Sequence, residues 1–304
     1  MHYLRPIRSW QIQGKPRELG RRTWVMAILN LTPDSFYAPS RVGPDLEAIR
    51  ARAEHALAAG ADLLDLGAES TRPGATPLPP DQEQARLLPA LAALRRALPG
   101  VLLSVDTRHA ATAARALAAG ADIINDVSGL DDPAMGPLLA ASTCGVILMH
   151  HRGEFSSMHR LPPLADPVAC VRDGLASLAH RAARAGLAPL RLVLDPGFGF
   201  GKNLDENFPL LAHLDEFHAL GFPLLVGMSR KSFLRRGPQW HPLALPGPLA
   251  PGASVPPPED RLAASLAATT AAILAGAHLV RVHDVAPTLE AARIADRVIE
   301  LGNL

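Results

Sequence analysis

Along the chain, short uninterrupted apolar runs alternate with longer stretches in which apolar residues recur at helical spacing. The runs fall at 24–30 (WVMAILN), 61–66, 101–106, 122–126, 145–150, 191–195, 222–229 and 278–284. The helical stretches fall at 47–60, 82–98, 109–119, 134–142, 168–185, 207–220, 260–275 and 286–301. In the second of these Leu87, Leu88, Leu91, Leu94 and Leu98 share one face. Runs without interleaved polar residues predict strands covered on both faces, as in a parallel sheet. Residues 1–20 show neither pattern and read as a lead-in.

Three segments echo one another: LAAGADLLDLG from Leu57, LAAGADIINDV from Leu117 and LAGAHLVRVHD from Leu274. Each is a helix closed by glycine that passes through a short turn into a buried strand, the αβ junction of a repeating unit. Short junctions at one end of the strands and long polar loops at the other predict an α/β chain folded as a (β/α)8 TIM barrel. The reading is a single domain over 1–304, with long βα loops and a Pro/Gly-rich insertion at 236–258 after the seventh strand. A doubly wound open sheet is the rival, but no GxGxxG follows the first strand.

In a barrel the chemistry collects where strands end. Here the ends are Asn30; Glu69, Ser70, Thr71 and Arg72; Asp106; Asn125 and Asp126; Met149 and His150; Asp195; Ser229, Arg230 and Lys231; and Arg281 and His283. Any one of these fits an Asx turn or a helix cap. Together they describe a site. Asp106, Asn125, Asp195 and Lys231 suit a flat heterocycle whose N–H groups pair with carboxylates and whose carbonyl takes a lysine. Thr71, Arg72, Arg281 and His283 suit a phosphate or pyrophosphate, and Asn30 offers an oxygen to Mg²⁺, which binds few protein groups alongside phosphates. The segment LVLDPGFGFGKN, 192–203, sets Asp195 before a loop of three glycines, two phenylalanines and Lys202. His150, His151 and His159 lack the spacing of a closed metal site.

Composition narrows the partners. Net charge is +1, so neither nucleic acid nor an anionic membrane is indicated, and the expected partner is a small molecule. No apolar run reaches signal-peptide or membrane-spanning length, which predicts a cytoplasmic protein. Cys144 and Cys170 have no CxxC spacing and read as small hydrophobes. Of 30 basic residues only Lys15, Lys202 and Lys231 are lysine, and the last two follow strands, where an ammonium has chemical uses that a guanidinium lacks.

The motifs MAILNLTPDSF, LGAESTRPGA, SVDTR, INDVSG, LMHHRG, DPGFGFGKN, GMSRKSF and RVHDV occur in this order over nearly the whole chain. In sequence and order they resemble dihydropteroate synthase, of the pterin-binding TIM barrels. The resemblance implies a transferase of folate biosynthesis and a sulfonamide target. It would condense 6-hydroxymethyl-7,8-dihydropterin pyrophosphate with p-aminobenzoate, releasing pyrophosphate. It assigns Asp106, Asn125, Met149, Asp195, Gly227 and Lys231 to the pterin. Asn30, Thr71, Arg72, Arg281 and His283 go to the pyrophosphate, with Asn30 acting through Mg²⁺. Phe36, Arg72, Pro73, Phe200, Lys231 and Ser232 frame p-aminobenzoate, and Phe198 packs beneath the loop. Asp106, Asp195, Lys231 and Arg72 carry catalysis in an SN1-like, Mg²⁺-assisted reaction.

Two features depart from the family. The first loop reads SFYAPSR, with Ala38 where the family has an aspartate, and the 236–258 insertion is long. Three alternatives remain: a lysine-imine aldolase using Lys231 or Lys202, a pterin- or folate-dependent methyltransferase, and a pterin-binding paralogue without turnover. The alanine- and leucine-rich closing helices permit a homodimer.

Overall fold

The computed structural model describes residues 5–31, 46–69, 77–203, 205–234 and 261–302. Eight parallel strands form the barrel: β3 (Trp24–Asn30), β4 (Leu63–Gly67), β5 (Leu102–Asp106), β6 (Ile123–Asp126), β7 (Gly145–Met149), β8 (Leu192–Asp195), β9 (Leu225–Val226) and β10 (Leu279–Val282). Ladders run from β8 through β3 and β10 to β9, and a parallel bridge between Leu194 and Leu224 joins the two ends. The helices α1 (Leu46–Ala58), α2 (Pro80–Ala97), α3 (Ala110–Ala118), α4 (Met135–Ala141), α5 (Pro167–Arg184), α6 (Asn207–Ala212), α7 (Leu262–Leu274) and α8 (Val285–Gly302) follow successive strands. The predicted barrel is therefore present, and its first strand has the predicted bounds.

The echoed junctions do the same work three times. Gly60, Gly120 and Gly276 end their helices at φ +98°, +97° and +99°, a conformation glycine adopts without a Cβ penalty. The residue two positions on then accepts a backbone N–H from a neighbouring strand segment. Asp62 takes that of Val25 at 2.8 Å, Asp122 that of Leu103 at 2.9 Å, and His278 that of Leu224 at 3.1 Å.

Three expectations are corrected. The lead-in contains an antiparallel hairpin, β1 (Arg8–Ile12) with β2 (Lys15–Leu19), turning on Gln13 and Gly14, both at positive φ. Positive φ at both central residues is what a two-residue type I′ turn requires. The seventh barrel strand shrinks from 222–229 to two residues, because Pro223 has no N–H for the ladder and the chain turns away so that Met228 O accepts Lys231 N at 3.1 Å. The helix expected over 207–220 stops at Ala212 and continues as a 3₁₀ helix, Leu214–Leu220. Buried Leu214 and Phe217 sit three apart there, the spacing that aligns side chains on a 3₁₀ turn. The insertion expected at 236–258 lies outside the described residues.

Strand alternation sorts the barrel interior into layers. Leu63, Ile123, Ile147, Val193, Leu225 and Leu279 form one apolar cluster with Met26 and with Trp10, Ile12 and Leu19 of the hairpin. Trp10 is fully buried, and its indole N–H donates to Arg191 O at 2.9 Å. The hairpin thus closes the N-terminal end of the barrel. Two residues further along each of those six strand segments stand Asp65, Asn125, Met149, Asp195, Gly227 and Arg281. A dry layer supports a polar one.

Candidate active site

The polar layer is organised by Asp65. Its carboxylate, fully buried, accepts from Ser104 Oγ at 2.6 Å, Asn125 Nδ2 at 3.4 Å and Arg281 Nε at 2.6 Å. Arg281 Nη2 reaches Asp106 at 2.7 Å, so one guanidinium bridges two carboxylates. A buried charge needs such partners. Burial pushes Asp106 up to about 7, against the pull of Arg281 and with Asp65, Glu83 and Glu69 adding to the rise. Sequence reasoning missed Asp65 inside the run LLDLG. The available signal was a carboxylate in mid-strand, which cannot be buried without a partner.

Across the barrel, burial also pushes Asp195 up while Lys231 and the Gly197 N–H bond oppose it. Gly197 N donates to Asp195 Oδ1 at 2.7 Å. The loop after β8 is built on glycines at φ +67°, +80° and +67° (Gly197, Gly199, Gly201). A Cβ on Gly197 would stand 1.9 Å from His150 O, so the loop packs against the end of β7 as only glycine permits. Lys202 locks it from below, donating to His150 O at 3.0 Å, Gly197 O at 2.8 Å and Phe200 O at 3.1 Å. Burial pulls Lys202 down to about 7, with Asp195 opposing, yet three carbonyls call for all three ammonium protons. Lys202 holds structure.

Lys231 is differently placed. Its Nζ donates to Phe198 O and lies 4.5 Å from the Phe200 ring centroid, a cation–π distance. Burial lowers it to about 8 and Asp195 opposes. Arg230, in the left-handed region at φ +59°, turns this loop, and its guanidinium is held by Asp284 at 2.8 and 2.6 Å. Phe198 is fully buried against Phe233, ring centroids 6.2 Å apart, while Phe200 is half-buried at the mouth. The two phenylalanines therefore separate as the sequence suggested.

The structure gathers Asp106, Asn125, Met149, Asp195, Gly227, Lys231 and Arg281 around the C-terminal end of the barrel. A Cβ added at Gly227 would meet Arg281 Cβ at 3.7 Å, ordinary van der Waals contact, so the glycine keeps that space over Arg281 open. Asn30 ends β3, half-buried, and His283 Nδ1 is 3.0 Å from Ser229 Oγ. Burial and nearby Arg281 push His283 down to about 3, so its imidazole is neutral. Ser232 is exposed beside Lys231. Phe36, Thr71, Arg72 and Pro73, together with Ala38, lie outside the described residues.

Beside the second loop, Arg108 grips both oxygens of Glu69 at 2.7 and 2.8 Å. Glu83 Oε2 takes Thr107 Oγ1 and faces His109 Nδ1, each at 3.0 Å. Among the described residues Glu69, Glu83 and His109 bring possible metal ligands within 4.8 Å of one another. Arg108 and Thr107 already occupy that cluster. His150 and His151 diverge: His150 is buried with Nδ1 unpartnered, whereas His151 meets Asp131 at 3.0 Å. Asp126, also buried, faces out of the barrel and accepts Ser128 N and Leu130 N in a local turn.

The family model for pterin binding enzymes matches residues 26–283. The dihydropteroate synthase of Escherichia coli K12 is 40% identical over 277 residues, 90% of this chain and 91% of that protein. Among solved structures, the Yersinia pestis dihydropteroate synthase in a sulfonamide drug complex superposes with a TM-score of 0.85 at 38% identity, covering 96% of this chain and 99% of that one. The Burkholderia cenocepacia dihydropteroate synthase complexed with 7,8-dihydropteroate gives 0.80 at 39% identity, covering 97% and 98%.

Proposed function

The chain belongs to the dihydropteroate synthases of the pterin-binding enzyme family, and from that premise we propose how its residues divide the reaction. The enzyme joins 6-hydroxymethyl-7,8-dihydropterin pyrophosphate to p-aminobenzoate in folate biosynthesis, giving dihydropteroate and pyrophosphate. The observation that carries the division of labour is the polar layer: two carboxylates at the barrel mouth, half-buried Asp106 bridged by Arg281 and buried Asp195 in the field of Lys231.

The pterin lies on this layer. Asp106 and Asp195 accept from its amino and ring N–H groups, Asn125 and Lys231 supply donors, and Met149 and Gly227 pack beside it. The C–O bond from the methylene to pyrophosphate breaks with its electron pair going to the leaving group. The cation left on the methylene is conjugated with the ring, where the two carboxylates stabilise it. The arylamine nitrogen of p-aminobenzoate then forms the C–N bond and loses a proton to solvent. Thr71, Arg72, Arg281 and neutral His283 receive the pyrophosphate; Phe36, Arg72, Pro73, Phe200, Lys231 and Ser232 receive p-aminobenzoate. No covalent enzyme intermediate is needed.

Asn30 fits Mg²⁺ in a limited way. A single neutral amide oxygen is too small a donor set for a resident ion, but it suits one that arrives bound to pyrophosphate. There Mg²⁺ would neutralise charge on the leaving group. Residues 1–304 act as one catalytic unit. No helix among the described residues is long and apolar enough to cross a membrane, and the proposed location is the cytoplasm. Ile294, Val298 and Leu301 are exposed along one stripe of α8, a surface suited to a homodimer.

The test is turnover by the purified protein with both substrates and Mg²⁺. Dihydropteroate and pyrophosphate should appear in equal amounts and only when both substrates are present, with EDTA abolishing and Mg²⁺ restoring turnover. Pterin binding without product would instead support the paralogue reading. Asp195→Asn should abolish pterin binding by calorimetry while leaving the circular dichroism spectrum unchanged; unaltered affinity removes Asp195 from this role.

A further inference from the structure

The loop after β7, which the family reading leaves without a role, places one aromatic ring at the barrel mouth. Phe155 is half-buried. His151 stacks on it, ring centroids 4.9 Å apart and planes at 24°. The guanidinium carbon of Arg108 lies 5.7 Å from its centroid. Both neighbours are themselves fixed: His151 by Asp131 at 3.0 Å and Ser128 O at 3.1 Å, Arg108 by its two-point grip on Glu69. Phe155 is thus a rigid post, and what it touches next is Phe200, edge to face at 6.3 Å and 81°.

Phe200 needs a post. It sits between Gly199 and Gly201, both at positive φ, in a backbone that does little by itself to fix where a side chain points. Among the described residues its ring contacts are Phe155 on one side and the Lys231 ammonium at 4.5 Å on the other. Lys231 is expected to turn toward ligand, which leaves Phe155 as the fixed partner.

We propose that Phe155 is a specificity-determining positioning residue for the arylamine substrate, acting through Phe200 and held in place by His151 and Arg108. The inference rests on the reading that Phe200 frames p-aminobenzoate. It predicts a selective effect, because Phe155 reaches the second substrate's wall and none of the groups assigned to the pterin.

Steady-state kinetics of Phe155→Ala, Phe155→Leu and Phe155→Tyr test it, with pterin affinity measured by calorimetry. Losing an edge-to-face aromatic contact should raise KM for p-aminobenzoate about three- to tenfold in the Ala and Leu variants, with kcat and pterin affinity within about twofold of wild type. The Tyr variant, which keeps the ring, should restore KM. The Leu variant keeps apolar volume, so the comparison survives if the Ala variant folds poorly. An unchanged KM for p-aminobenzoate, or a parallel fall of all parameters in both Leu and Tyr variants, overturns the inference while leaving the function intact. A wild-type protein that makes no dihydropteroate overturns the functional reading first, and this inference with it.

Discussion

Replacing Asp65 by asparagine removes one negative charge from the centre of the barrel and almost no volume. The amide can still face its neighbours: its oxygen accepts from Arg281, and its NH2 donates to Ser104, whose hydroxyl turns to accept. What is lost is the charge. Breaking a buried ion pair costs roughly 3–5 kcal/mol, and because Arg281 keeps Asp106 at 2.7 Å we expect about 3 kcal/mol, the low end. Urea unfolding measures this directly.

A second consequence has the opposite sign. Asp65 is one of the charges that raise Asp106 to about 7, so its removal must lower that value. In the empty wild-type protein, Asp106 binds its proton more tightly folded than unfolded. Its contribution to stability is therefore full at acid pH and is lost as pH rises from the ordinary carboxylate range through about 7. In the proposed role of Asp106 as acceptor of pterin N–H groups the ionised form binds, so affinity in the wild type should climb with pH through about 7. In Asp65→Asn that acid limb should move to lower pH, although the protein is less stable. Calorimetric titration of a pterin across pH 5–9, a range of about four units around the Asp106 midpoint, reads the limb. A limb that stays put or moves upward refutes the assignment of Asp106 as the titrating group and the role of Asp65 beside it.

Three further outcomes follow from the loop and the hairpin. Gly197→Ala should lose pterin binding and melt several degrees lower, because its Cβ would stand 1.9 Å from His150 O; Gly199→Ala, with no atom nearer than Lys231 Cδ at 3.5 Å, should cost only the ~1–2 kcal/mol of left-handed strain. Lys202→Met strands three carbonyls and should cost about 3 kcal/mol or more in urea unfolding, whereas a loss below 1 kcal/mol would show that water replaces the ammonium. Trp10→Ala should destabilise by about 3–5 kcal/mol with kcat per folded molecule unchanged; a large fall in kcat would contradict the separation of the dry layer from the site.

Local patterns made much of this molecule legible. Trp24–Asn30 is a strand by its unbroken apolar run, and the glycine-closed junctions at Gly60, Gly120 and Gly276 set the repeat. Strand ends identified Asp106, Asn125 and Asp195 because a carboxylate or amide there must meet solvent, a cap or a ligand. Asp65 escaped because its partners come from β5, β6 and β10, far away in sequence. The hairpin escaped because its strands carry few apolar residues: Trp10 and Ile12 alternate with polar positions, and Pro16 stands in the second strand. β9 was overread because apolar character alone does not show that Pro223 and the lysine loop withdraw the chain from the ladder. The rim linking Arg108, Phe155 and Phe200 joins three loops and leaves no periodic trace at all.

Among the described residues the hairpin closes the base, which makes the barrel a well that opens at the strand C-termini. Whatever lies on the floor must enter before the molecule that sits above it, and the joined product must leave by the way both came. With the pterin at the bottom, as we propose, p-aminobenzoate arriving early has to depart before chemistry can begin. Traffic through a single doorway then imposes an order of entry that no individual contact specifies, and excess p-aminobenzoate should slow turnover by standing in the way.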